Sequence, residues 1–184
     1  KLRRSKNAAG AISKYDEAAR TYEEAVKAGG PKKEQAMIKG ARTGLTVAQL
    51  LIDAKQTTKA QGRLTKAKQA FKQYLAYSED PKNKLTDPRY ITTREAARAE
   101  ARYSVALTNR LLMGKTPDAA TAKRLWTETL PYLEGFEQKY AAQSGLCMSV
   151  VSDRIRARIA LGDVAGAERD YQILRGIDAQ DPKT

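Results

Sequence analysis

Between its glycines and prolines the chain runs in stretches of about twenty residues, where apolar side chains recur at steps of three and four. That spacing fits one face of an α-helix. The clearest stretch is "KYDEAARTYEEAVKAGGPKK", residues 14–33. Ala11, Tyr15, Ala18, Tyr22 and Ala25 fall on one stripe and charges cover the other side. Gly29 and Gly30 stop the helix, because glycine accepts the left-handed conformation at a helix end. Pro31 suits the first turn of the next helix, where its missing N–H costs nothing.

The same reading gives seven helices. After a basic opening, "KLRRSKNAAG", read as frayed or as the end of a preceding helix, the first spans 11–28. The second covers 31–55, with Met37, Ile38, Leu45, Ala48, Leu51 and Ile52 inward. Gly40 and Gly44 share a face there and admit a neighbouring helix closely. The third covers 59–78, with Ala60, Leu64, Ala67, Phe71, Tyr74 and Leu75 inward. Residues 79–92 form the longest internal loop, and Thr92 or Thr93 is expected to cap the fourth helix, which runs to Met113. Thr116 is expected to cap the fifth, with Pro117 first in it and Asp118 at the positive end of its dipole. Its inward stripe would be Ala119, Ala122, Trp126, Leu130, Leu133, Phe136 and Tyr140, and Pro131 should kink or split it. The sixth covers 145–161 with Met148, Val151, Ile155 and Ile159 inward, and Asp163 caps the last, 164–179, whose stripe is Val164, Ala167, Tyr171, Leu174 and Ile177. No stretch alternates with period two, so no sheet is expected.

Charge is uneven. The net charge is +13, and between Ala54 and Ser78 there is no acidic residue while Lys55, Lys59, Arg63, Lys66, Lys68 and Lys72 are basic. Such a field draws acidic partners or polyanions; it is equally the pattern of a solvated helix flank balanced by an acidic segment outside this sequence. Lys59, Arg63 and Lys66 form one basic row and Arg94, Arg98 and Arg102 a second, at steps of four. These six are the candidate partner-binding residues. Arg154 and Arg158 read as an exposed basic edge, Glu134 and Glu137 as a solvated flank, and Trp126 as a core anchor.

Several chemistries drop out. The chain has no histidine, which removes histidine general-base catalysis and the commonest zinc ligand. "GGPKK" lacks the spacing of a phosphate-binding loop. No catalytic, metal-binding or cofactor-binding residue is assigned, and no cofactor is expected. Cys147, the single cysteine, excludes an internal disulfide and reads as a small buried side chain. Both a reducing compartment and an exported helical protein, periplasmic or cell-envelope, fit that usage. No window is apolar enough to cross a membrane, so no membrane insertion is expected.

Three stretches share a pattern. "KYDEAARTYEEAV", "RLTKAKQAFKQYL" and "DVAGAERDYQILR" each place a small residue four positions before an aromatic: Ala18 with Tyr22, Ala67 with Phe71, Ala167 with Tyr171. The small residue admits a neighbouring helix and the aromatic fills the groove beside it. Each resembles the second helix of a tetratricopeptide repeat, and "EARYSVALTNRLLMG", 100–114, resembles a first helix. The spacing departs from the family's, near 50 residues rather than 34, and the family's peptide-binding carboxylate clamp has no residue-by-residue counterpart, so no site is carried over. The resemblance implies an all-α, right-handed superhelix (a solenoid) of about seven antiparallel helices over a single domain, 1–184, cut from a longer array. It further implies a non-enzymatic scaffold holding a peptide or protein segment, which the charge suggests is acidic. Nucleic-acid binding through the first 75 residues is the alternative; an enzyme, working through paired carboxylates, is a third reading. The oligomeric state is left open.

Overall fold

The structure, a computed structural model, describes residues 2–30, 32–114 and 118–178. Among them there is helix and turn but no strand. The chain divides into two compact units, Lys1–Lys84 and Leu85–Thr184, with the boundary inside the 79–92 loop.

The first unit holds α1 (Leu2–Ala28), α2 (Lys33–Asp53) and α3 (Thr57–Glu79). The helix α1 begins at Leu2 rather than near Ala11. The basic opening continues the helix of residues 11–28 toward the N-terminus, and Leu2, Arg3, Arg4, Lys6, Ala8 and Ala9 are good helix formers. Gly29 and Gly30 take φ of +74° and +78° and turn the chain into α2. Lys55 turns it into α3 with φ +60°, the one non-glycine described residue in that region. There the Gln56 N–H donates to the Leu51 carbonyl at 2.9 Å, satisfying a carbonyl of the last turn.

Both α1 and α3 pack against α2. Val47, Leu51 and Ala60 form a core with Ile12 and Ile52 against it. All six inward residues expected on α3 are buried. The two glycines of α2 divide the work of close approach. A Cβ on Gly40 would lie 3.2 Å from Cβ of Tyr22 on α1, and one on Gly44 would lie 3.5 Å from Cβ of Ala67 on α3.

The second unit holds α4 (Pro88–Met113), α5 (Ala119–Leu133), α6 (Phe136–Lys139), α7 (Ser144–Leu161) and α8 (Val164–Asp178). The helix α4 starts before the expected Thr92 or Thr93. Asp87 caps it, accepting from the Arg89 N–H at 2.9 Å, with Pro88 in the first position. An aspartate followed by proline is a strong start signal. Thr92 and Thr93 lie inside the helix, donating to the carbonyls of Pro88 and Arg89. The expected cap Thr116 and Pro117 lie outside the described residues. Asp118 itself caps α5, accepting from the N–H groups of Ala120 and Thr121 at 3.1 and 2.9 Å. Pro131 does not break α5 where it stands. The helix runs on to Leu133, and the chain turns at Glu134 and Gly135, where φ is +61°, before α6.

Ala99, Ala106, Leu133, Phe136, Tyr140, Cys147 and Val150 make the core of this unit, with Tyr103, Leu146 and Ile177 packed on it. Phe136 and Tyr140 lie with ring centres 4.9 Å apart. Cys147 is buried, and burial, then the charge of Glu137, pushes its thiol above the usual range.

Three expected stripes hold in part: Leu133, Phe136, Tyr140, Val151 and Ala167 are buried as expected, and other inward positions are taken by residues outside the stripes. In α5 the buried residues are Leu125, Thr129 and Leu133, with Trp126 half-buried. In α7 they include Cys147, Val150, Val151, Asp153, Arg154 and Ala157, and Ile159 is 61% exposed. In α8 Ala167 and Asp170 turn inward while Val164 and Tyr171 are 73% and 48% exposed.

Glycine substitutions separate close approach from mere helix propensity. Gly62 lies inside α3 with open space where a Cβ would go, so Gly62→Ala should stabilise the chain by roughly 0.5–1 kcal/mol. Gly40→Leu forces α1 off α2 and should destabilise by about 1–3 kcal/mol. Urea denaturation followed by circular dichroism reads both.

Candidate binding groove

On the surface of the first unit, α1 and α3 wall a cavity of about 430 Å³ whose floor is α2. Ala36, Met37, Gly40, Ala41 and Gly44 form that floor. The groove exists because these side chains are mostly small, while Ile38, Leu45, Val47 and Leu51 of the same helix are buried. Ala19, Tyr22 and Val26 line one wall, Ala67 and Ala70 the other, and Glu23, Lys27, Arg63, Lys66, Gln69 and Gln73 supply the polar lining. The volume lies in the range of sites that take a small ligand or a few side chains of a partner.

Of the six candidate residues, two line this groove. Arg63 reaches across from α3 to α1, with Nη2 2.7 Å from Oδ1 of Asp16, and both side chains remain partly exposed. Lys66 stands exposed on the α3 wall. Lys59 is exposed one turn before Arg63 and does not line the cavity. Arg94, Arg98 and Arg102 belong to α4, in the other unit. Arg94 is buried at 7% exposure, Arg98 pairs with Glu95 on its own helix, and Arg102 is half-buried. The second row is therefore not an open basic surface. What the sequence reading missed is the floor. Its signal was present as Ala36, Gly40 and Gly44, three small residues at steps of four.

The second unit has a different charged centre. Arg154, 2% exposed, donates from Nη1 to the Leu133 carbonyl at 3.0 Å and to Glu137 at 2.9 Å. Its Nη2 reaches Glu137 at 2.9 Å and Asp170 at 2.8 Å. Arg158 donates from Nε to Asp170 at 2.7 Å and from Nη2 to Glu134 at 2.7 Å, and also binds Asp163. Asp163 caps α8 by accepting from the Gly166 N–H at 2.9 Å. The expected basic edge and solvated acidic flank are thus one connected cluster, with Arg154 and Asp170 at its buried centre. Beside it Asp153, 1% exposed, receives Arg110 at 2.7 Å and Arg156 at 2.8 Å.

Burial pushes the Glu137 carboxyl up, but hydrogen bonds from Arg154, its own backbone N–H and the Arg154 charge outweigh it and hold it below the usual value. For Asp163 the Gly166 N–H and then Arg158 act in the same direction. Burial opposes the charge of Arg154, and Glu137 and Asp170 more than restore it. The arginines thus tie α7 to α8 and to the residues at the end of α5.

Compared with known proteins, the chain matches no family model, no curated sequence and no solved structure.

Glu137→Gln removes a charge facing the buried Arg154 and should cost about 3 kcal/mol. Because the folded-state value of Glu137 is depressed, its stabilisation is complete above about pH 4.5 and is lost as pH falls below that. Urea denaturation between pH 7 and 3 should show stability falling with acid more steeply in the native chain than in the variant.

Proposed function

We propose that the chain is a non-enzymatic interaction scaffold built from tetratricopeptide-like helix pairs, which holds an acidic segment of a partner protein in the groove between α1 and α3. What carries the reading is the groove: about 430 Å³ over a floor of small residues, with Lys27, Arg63 and Lys66 against a single acid, Glu23, in its lining. An apolar floor takes a side chain from the partner, and the basic edge favours acidic residues beside it. The Ala67–Phe71 pair, buried on α3, is the best-packed copy of the repeat pattern. The Ala167–Tyr171 pair departs from it, since Tyr171 is exposed.

A panel of immobilised decapeptides of varied charge tests the proposal. Acidic peptides with one large apolar residue should be retained. Lys66→Glu should weaken them about three- to tenfold, the effect of a rim charge reversed. Ala70→Trp, which fills the groove, should abolish retention while the helical circular dichroism is kept. Retention of only basic peptides, or binding indifferent to Ala70→Trp, would overturn it.

A further inference from the structure

The outward face of α8 carries a pattern that the groove does not use. Val164, Glu168, Tyr171, Gln172 and Arg175 share an exposed flank of this helix, beside the side that buries Ala167 and Asp170. Val164 is 73% and Tyr171 48% exposed. Ile159, 61% exposed, stands just before the Gly162 turn that joins α7 to α8. Glu168 accepts from Gln172 at 2.9 Å, and both Glu168 and Arg175 are exposed.

The order of these residues is self-complementary. Glu168 and Arg175 are two helical turns apart, so they lie nearly in line along the helix. The point midway between them falls between Tyr171 and Gln172. A two-fold axis there, perpendicular to the helix, lays a second α8 antiparallel on the first. Each Glu168 then faces Arg175 of the partner subunit, and the two Tyr171 rings meet beside the axis. An isologous contact needs this symmetry, in which one surface supplies both halves of each pair. The balance of charge also favours this unit as the meeting place. Residues 85–184 hold 15 basic and 13 acidic side chains, whereas residues 1–84 hold 19 and 8 and would repel a copy of themselves.

We propose that the outward flank of α8 is a homodimer contact, formed by antiparallel pairing of Glu168, Tyr171 and Arg175 with the same flank of a second copy. One helix pair makes a small interface, so the association is weak, with a Kd on the order of 100 μM.

Sedimentation equilibrium of the chain across 10–1000 μM (a range chosen about that Kd) tests it at moderate salt. The native chain should self-associate, and Tyr171→Asp should make it monomeric, because one substitution sets two carboxylates together at the axis. Glu168→Arg alone and Arg175→Glu alone should each weaken association about threefold or more, since like charges then face each other twice. The double variant carrying both changes should return to the native Kd. All three substituted positions are exposed, so circular dichroism should show native helix content throughout. A native chain monomeric over the whole range, or self-association untouched by Tyr171→Asp, or a double variant no better than the singles, would overturn the proposal.

Discussion

Asp170 is the residue on which the arrangement of the second unit turns. A carboxylate left 5% exposed is costly unless charge and hydrogen bonds meet it. Arg154 and Arg158, one turn apart on α7, both meet it. That requirement sets the rotation of α8, because Asp170 and Ala167 must face α7 together. Gly166 is part of the same constraint: a Cβ there would run into the Asp163 carboxylate and the Arg158 guanidinium. The two arginines also hold the residues after α5, through the Leu133 carbonyl, Glu134 and Glu137. The turn that follows Pro131 is thereby anchored by charge rather than by a continuous helix.

The first unit is assembled by the opposite device. Its helices approach through the absence of side chains, at Gly40 and Gly44, and its inward faces are apolar along α3. Gly40 and Gly44 let α1 and α3 come close at Tyr22 and Ala67 and also form part of the groove floor. The same alternation of small and large side chains thus produces both the packing and the candidate site.

Legibility in the sequence followed the same division. The six apolar inward residues of α3 were readable because apolar burial decides them; Ser78, buried beside them, carries no such signal. The inward faces of α5, α7 and α8 were readable only in part, because some inward positions are held by Thr129, Arg154 and Asp170, residues that a hydrophobic stripe cannot register. Arg154 and Arg158 were seen to share a face, but apart from Asp163 their carboxylate partners lie 12 to 24 residues away on other elements, beyond any local pattern. The start of α4 was misplaced because two cap signals competed, and the earlier one combined aspartate with proline. Of the groove, its basic edge at Arg63 and Lys66 was visible and its floor was overlooked, although Gly40 and Gly44 had been noticed for packing alone.

The two units carry their charge in different ways, and ionic strength should act on them differently. In residues 1–84 the surplus of basic over acidic groups is largely on the surface, and dissolved ions shorten the reach of its mutual repulsion. In residues 85–184 the charges that matter most are enclosed, and a counter-ion cannot enter between Arg154 and Asp170 without first opening the helices. Added salt therefore relaxes the first half and leaves the fastening of the second almost untouched. One chain joins a half whose surplus charge responds to the electrolyte around it to a half whose central ion pair is shielded from it.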